Sequence, residues 1–232
     1  MNAQRAALKA AFPHTIPVLT GYLVLGAAYG ILMNSKGFSL FWILLASIFI
    51  YAGSMQFVTV SLLAAGFDLM GAFLMTLAVN ARHLFYGISL LKQYRGFGKL
   101  KPYLIFSLTD ETFSIVCSAG IPEQVDRKWF YFFISLLNHS YWITGSLIGG
   151  VLGSLLDFNT KGIDFVLTAL FVVILINQWQ STKNHLPAII GIVSAIVCRF
   201  LFGASNFIIP SMIMILTLVT VARSPMERSN EV

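Results

Sequence analysis

Charge is scarce in this chain. Only 10% of its 232 residues are Asp, Glu, Lys or Arg, 57% are hydrophobic, and the mean hydropathy is +0.81. A soluble domain carries about 25% charged residues, so this composition points to a membrane. Cysteine is nearly lacking as well. Cys117 and Cys198 lie far apart in apolar stretches, without zinc-type spacing. They read as small hydrophobes rather than a disulfide or metal ligands, and no cofactor is expected. Strict polar–apolar alternation is missing from segments such as 165–176, which argues against a β-barrel. The net charge of +6 belongs to loops. Basic residues interleaved with aromatics on a polar face are lacking, so no nucleic-acid partner is expected. H-E-x-x-H, G-x-S-x-G and P-loop patterns are all missing, and no enzyme is expected. Arg5 and Lys9 precede an apolar run, but no short h-region with a small-residue cleavage site follows, so that run is expected to stay.

What is present is a series of apolar stretches near the length that crosses a bilayer as a helix, about 20 residues. Residues 1–11 read as a short amphipathic or disordered start, and a first span covers 16–33. A second stretch, 38–66, is too long for one perpendicular crossing and holds the polar island Tyr51-Ala52-Gly53-Ser54-Met55-Gln56. Gly beside Ser in mid-span predicts a break there. Further spans follow at 69–91, 102–119 and 129–153, then at 165–176, 188–202 and 208–222. The expected fold is an all-α polytopic membrane protein with seven or eight transmembrane segments. Residues 1–222 form one transmembrane domain and 223–232 a polar C-terminal tail. Two similar words, Phe41-Trp42-Ile43-Leu44-Leu45 before Tyr51 and Phe133-Ile134-Ser135-Leu136-Leu137 before Tyr141, raise a 3+3 inverted repeat with broken helices. The basic loop with Lys92, Arg95, Lys99 and Lys101 is expected on the cytoplasmic side.

Two clusters of ionisable residues interrupt the apolar stretches: Asn80-Ala81-Arg82-His83 and Thr109-Asp110-Glu111. An arginine at the centre of a spanning helix costs about 2.5–3.5 kcal/mol on insertion scales and is retained where it meets a partner or a substrate. Counting from the loop between the two spans, Arg82 lies roughly 14 Å and Asp110 roughly 10 Å deep at 1.5 Å per residue. The two depths agree to within a few ångströms, so neighbouring antiparallel helices allow a direct ion pair. It is either structural or part of a site for a proton or a small zwitterion. Arg82, with backbone N–H groups freed at Gly53 and Ser54, would suit a carboxylate. Asp110, helped by Gln56 or Asn80, would suit an ammonium, and Tyr51 lies in the same island. Met55 and Phe57 would accept an aliphatic side chain. His83, Asp110 and Glu111 are candidate proton carriers. On a regular helix Asn80 and His83 share a face and Arg82 points elsewhere, so all three meet one cavity only if the helix is irregular. Asn138 and His139 read as interhelical hydrogen-bonding groups, and Arg199 as a snorkelling side chain. Gly145, Gly149 and Gly153 form a small-residue ridge suited to packing a partner helix.

In order and spacing, Pro17, Gly21-Tyr22, Gly26 and Gly30, then Tyr51 to Phe57, then Asn80 to Gly87, then Thr109-Asp110-Glu111 resemble the AzlC family. That family comprises the large subunits of two-component branched-chain amino-acid exporters. The resemblance covers roughly residues 10–150 and beyond that lies in hydropathy more than in motif. It implies residence in a bacterial or archaeal inner membrane and a small four-span partner of the AzlD type. It also implies proton-driven export of valine, leucine or isoleucine, in some members methionine. Two other readings use the same residues: an ion channel or proton-linked ion carrier, and a non-transporting scaffold subunit. A channel would call for a carbonyl filter or a charged ring, and neither is visible.

Overall fold

A computed structural model describes residues 3–66, 68–155 and 184–221, with positions 165, 169, 172–173, 175–176 and 179–180. Half of the expected sixth span, the loop before it and the polar tail lie outside the described residues. Among the described residues the regular structure is helical, with no strand. The chain divides into two compact units, Met1–Leu167 and Thr168–Val232.

The first unit is organised by two long helices, α1 (Ala3–Ser35) and α7 (Arg127–Leu155). Between them come α2 (Leu40–Phe49), α3 (Gly53–Ala65), α4 (Leu69–Leu90), a 3₁₀ turn at Gly98–Leu100, α5 (Lys101–Phe106) and α6 (Asp110–Ser118). The first correction concerns the start of the chain. The start of the chain, expected to be amphipathic or disordered, is ordered helix from Ala3, with Ala7 and Ala11 buried on one face, and belongs to α1, which runs unbroken through Pro13 and Pro17. Its buried residues include Ala7, Ala11, Thr15, Val18, Tyr22, Gly26, Tyr29 and Met33. That three-and-four spacing is a seam. Its alanine end packs with Phe130 and Ile134 at the start of α7. Burial of this seam offsets the backbone bonds that two prolines remove.

Midway along the seam the side chains all but vanish. A Cβ on Gly26 would lie 2.9 Å from the Ser146 nitrogen, and one on Gly145 would lie 2.6 Å from the Tyr22 carbonyl oxygen. Gly30 and Gly149 leave still less room, against the Ser146 and Ala27 carbonyls respectively. Gly153 faces Asn34, with a Cβ clearance of 3.0 Å. The ridge Gly145, Gly149 and Gly153, expected to receive a separate subunit, is therefore filled by α1 of the same chain. The sequence period identified a helix-packing surface correctly but assigned it the wrong occupant, because the complementary Gly26 and Gly30 lie in this chain too.

The stretch 38–66 is broken, as the Gly-Ser pair suggested. Tyr51 has φ 41°, in the left-handed region, and α3 begins at Gly53. The stretch 102–119, expected as one span, is broken as well, between α5 and α6. Thr109 caps α6 by accepting from the Thr112 N–H at 3.2 Å, and Asp110 and Glu111 occupy the first turn, where carboxylates are favoured. The two similar words do not occupy equivalent places. The first leads into the break at Tyr51, while the second runs inside the uninterrupted α7. The other broken helix pair is α5–α6.

The second unit contains α8 (Leu186–Asn206) and α9 (Ile208–Val221), which pack on each other. Gly203 interrupts α8 with φ 75°. Cys198 is buried, its thiol 3.7 Å from the Met214 sulfur, as befits a small hydrophobe. The Arg199 guanidinium lies 5.8 Å over the Phe207 ring. Two described helices are by themselves long and apolar enough to cross a membrane, Ala3–Ser35 and Leu186–Gly203. The expected seven or eight crossings go beyond these. Phe73, Leu84, Phe85 and Ile88 on α4 are each more than 60% exposed, a surface that suits hydrocarbon rather than water.

Candidate functional site

The two helix breaks face α4. Arg82 extends from its middle and donates from Nη1 to Asp110 Oδ2 at 2.9 Å, and from Nη2 to Ser54 Oγ at 3.1 Å. One guanidinium thus ties the first turn of α3 to the first turn of α6. The second Asp110 oxygen accepts from the Tyr86 hydroxyl at 2.9 Å, and the Tyr86 ring stacks on Phe113 of α6 with centroids 4.4 Å apart. Arg82 and Tyr86 are one helical turn apart, so a single face of α4 grips both carboxylate oxygens. Tyr86 was not among the candidate residues, although its i+4 relation to Arg82 was the signal that could have found it. The side chains of Arg82 and Asp110 are 30% and 32% exposed. The pair is therefore at the edge of the packed unit and not sealed inside it.

The other candidates divide around this centre. Gly53 backs onto Trp142, where a Cβ would meet the indole at 3.1 Å, and no side chain caps the α3 terminus. Gln56 is fully buried, and neither of its amide atoms has a hydrogen-bond partner. The Tyr51 hydroxyl is likewise buried without a partner, while its ring lies 4.1 Å from that of His139. Met55 packs with Ala52 and Val58 against Leu62, Met75 and Val79. Phe57 is turned into the interior, edge-on to Tyr29. On α4, which is regular throughout, the His83 ring lies edge-on to Tyr86 with centroids 5.7 Å apart, and Asn80 Oδ1 is unpartnered. Neither Gln56 nor Asn80 hydrogen-bonds Asp110.

Glu111 turns away from the Arg82 pair. Its Oε2 lies 2.7 Å from the Tyr22 hydroxyl of α1, which also lies 2.7 Å from Thr109 Oγ1. Tyr22 was missed in the sequence because tyrosine in a span reads as packing. Asn138 is buried and donates to Thr112 Oγ1 at 3.0 Å, and the two nitrogens of the His139 ring lie 3.2 Å from the Ser47 carbonyl and 3.3 Å from the Tyr103 hydroxyl. These are the interhelical bonds expected of both residues. Among the described residues no group of three His, Cys, Asp or Glu could hold a metal ion.

The family model described as "AzlC protein" matches residues 17–156, the segment that holds both breaks, α4 and all of α7. The chain is 52% identical to the "Branched-chain amino acid transport protein AzlC" of Bacillus subtilis over 97% of its length and 88% of that protein's. It is 43% identical to an "Uncharacterized membrane protein" of Helicobacter pylori, over 95% of its own length and 97% of that protein's. It is 31% identical to the "Inner membrane protein YgaZ" of Escherichia coli, over 82% and 80% respectively. No solved structure matches it. With relatives so named and its apolar helices, this is a membrane protein.

Proposed function

The chain belongs to the AzlC family, and from that footing we propose that it exports branched-chain amino acids (valine, leucine, isoleucine, with methionine as a further substrate) across the bacterial inner membrane. Transport is coupled to protons and carried out with a small four-span membrane subunit of the AzlD type. The name of the Bacillus relative supports the substrate class. The observation that carries the mechanism is Arg82 held between Asp110 and Ser54 where two helix breaks meet.

A zwitterion offers this pair what each half already has. Its carboxylate replaces Asp110 on Arg82 and gains the uncapped N-terminus of α3 at Gly53 and Ser54. Its ammonium replaces Arg82 on Asp110, whose other oxygen stays with Tyr86. The exchange conserves opposite-charge contacts, so neither charge is stranded in a weakly polar site. Gln56 and Asn80 both carry amide oxygens without partners, and the Met55 cluster between α3 and α4 suits an aliphatic side chain. His83 and Glu111 are the proton-coupling groups, with Asp110 between substrate and proton roles. Tyr51 shapes the break that presents Gly53 and Ser54. Counterflow of labelled isoleucine in proteoliposomes containing both subunits tests the assignment. Arg82→Ala and Asp110→Asn should each abolish exchange while the protein remains folded. Unchanged exchange in either would refute it.

A further inference from the structure

We propose that His139 is a positioning residue for transport: from α7 it ties together two hairpins that enter the unit from opposite ends, and it keeps their tips in register while Arg82 turns to the substrate. The proposal rests on the reading of the Arg82–Asp110 pair as the substrate site, and names a residue outside that site on which it depends.

Contacts between α1 and α7 set the frame. Gly26 of α1 meets Ser146, Gly30 meets Gly149 and Asn34 meets Gly153, so the two helices run parallel. Against them α2 runs the other way. Its Leu40 and Ile43 lie at Gly150, and its Ser47 carbonyl lies at His139. The chain turns at Tyr51, whose ring is 4.1 Å from that of His139. Then α3 returns, with Gly53 at Trp142 and Phe57 at Tyr29, beside the Gly30 that meets Gly149. Together α2 and α3 are a hairpin from the Leu155 end of α7. The pair α5–α6 is a hairpin from the Arg127 end. The Tyr103 ring of α5 lies 5.7 Å from that of Phe132, and its hydroxyl reaches His139. On α6, Thr112 lies at Asn138, and Val116 is back in the cluster of Phe130 and Ile134. The two tips therefore meet near the middle of α7, which spans Arg127–Leu155.

Arg82 and His139 reach both hairpins from opposite helices. From α4, Arg82 bonds Ser54 on α3 and Asp110 on α6, the arms that leave the tips. From α7, His139 bonds the arms that enter them. Its Nε2 lies 3.2 Å from the Ser47 carbonyl on α2, and its Nδ1 lies 3.3 Å from the Tyr103 hydroxyl on α5. A carbonyl only accepts, so the first bond places a hydrogen on Nε2. In the neutral ring Nδ1 is then the acceptor, and Tyr103 donates to it. The side chain is 7% exposed, so water does not replace these bonds freely.

The two ties respond differently to substrate. In the proposed exchange a zwitterion takes Asp110 from Arg82, and the tie between α3 and α6 opens. The histidine tie uses no group of the substrate site and stays closed. It then keeps Ser54 on one tip at a fixed span from Asp110 on the other, and that span is what the carboxylate and ammonium of one amino acid must bridge. Loss of the histidine tie is felt most when substrate is bound.

The test is counterflow of labelled isoleucine over a range of concentrations, in proteoliposomes containing both subunits, paired with thermal midpoints of the same preparations. His139→Leu removes both bonds and keeps apolar bulk. It should raise the half-saturating isoleucine concentration by about tenfold, the worth of two buried hydrogen bonds. Tyr103→Phe removes one bond and keeps the ring at Phe132. It should raise that concentration by about threefold, and it decides the matter if His139→Leu fails to fold. His139→Gln, whose amide has both a donor and an acceptor, should stay closer to the wild type than His139→Leu. A residue that only packs would lower the thermal midpoint and leave the half-saturating concentration unchanged. The proposal is overturned if Tyr103→Phe keeps the wild-type concentration, or if His139→Gln is as impaired as His139→Leu. Unaltered variants beside normal wild-type exchange refute the role of His139 alone. A wild type that exchanges no isoleucine refutes the exporter reading, and this proposal with it.

Discussion

Gly149 of α7 sits directly against the Ala27 backbone of α1, with no room for a single methyl group between them. Overpacking a well-filled interior typically costs about 1–3 kcal/mol, and here the obstacle is backbone, which cannot move aside by changing rotamer. Gly149→Leu should therefore cost the chain its own fold, seen as loss of the monodisperse peak in detergent gel filtration. Gly21→Ala is the matched control. It lies in α1, the facing helix of the seam, with nothing within 4 Å of a Cβ, and should raise the thermal midpoint slightly, by the helix-propensity gain of about 1 kcal/mol. A folded Gly149→Leu chain would mean the two helices do not meet as described.

The second prediction concerns Tyr86. Its hydroxyl holds one Asp110 oxygen while its ring stacks on Phe113. Tyr86→Phe removes the first contact and keeps the second. Stability should fall by about 1 kcal/mol, the net worth of one hydrogen bond. Exchange should weaken more than stability does, through a higher half-saturating isoleucine concentration, because Asp110 then loses the contact that keeps it oriented when Arg82 turns to the substrate. Thermal unfolding and counterflow on the same preparation separate the two effects.

How far the sequence reached is clearest at these positions. Depth counting placed Arg82 and Asp110 at one level, and they meet at 2.9 Å. The break at Gly53 followed from Gly-Ser chemistry in a stretch too long for one crossing. The break before Asp110 was equally marked, by Thr109 followed by two carboxylates, an N-cap pattern, but the apolar flanks concealed it within a span of ordinary length. The α1–α7 seam was visible only as two separate glycine spacings. Hydropathy and period do not say which surface a ridge meets, and that pairing is tertiary information. The same limit concealed Tyr22 and Tyr86. An aromatic in a span reads as packing until the helix opposite is known.

Tyr51 supplies a third prediction. A non-glycine residue at φ 41° bears a left-handed penalty of about 1–2 kcal/mol, which its buried ring against His139 offsets. Tyr51→Phe should raise stability, by about 1 kcal/mol, since it removes a buried hydroxyl that makes no hydrogen bond. Tyr51→Ala should cost about 3 kcal/mol or more, as aromatic truncations do. Tyr51→Gly should be the milder truncation, because glycine accepts that φ freely. Chemical denaturation in detergent gives the order. Finding Ala more stable than Gly would contradict the left-handed assignment.

The ion pair itself allows a prediction by charge exchange. Arg82→Ala leaves Asp110 without its cation, and Asp110→Ala leaves Arg82 with only Ser54. Each single variant should be less stable than the double Arg82→Ala/Asp110→Ala, because a lone charge in a weakly polar site costs more than a missing pair. The difference is modest, about 1 kcal/mol, since both side chains are nearly a third exposed. A double-mutant cycle on thermal midpoints reads it.

The central claim is that a zwitterion takes the places Arg82 and Asp110 occupy for each other. The most direct measurement is equilibrium binding of labelled isoleucine to the wild type, Arg82→Ala and Asp110→Asn, in nanodiscs with the small subunit present. Each substitution should weaken binding by about tenfold or more, the worth of one charge-assisted hydrogen bond, and isobutylamine, which lacks the carboxylate, should fail to compete. Wild-type affinity in both variants, or competition by the amine as strong as by isoleucine, would contradict it.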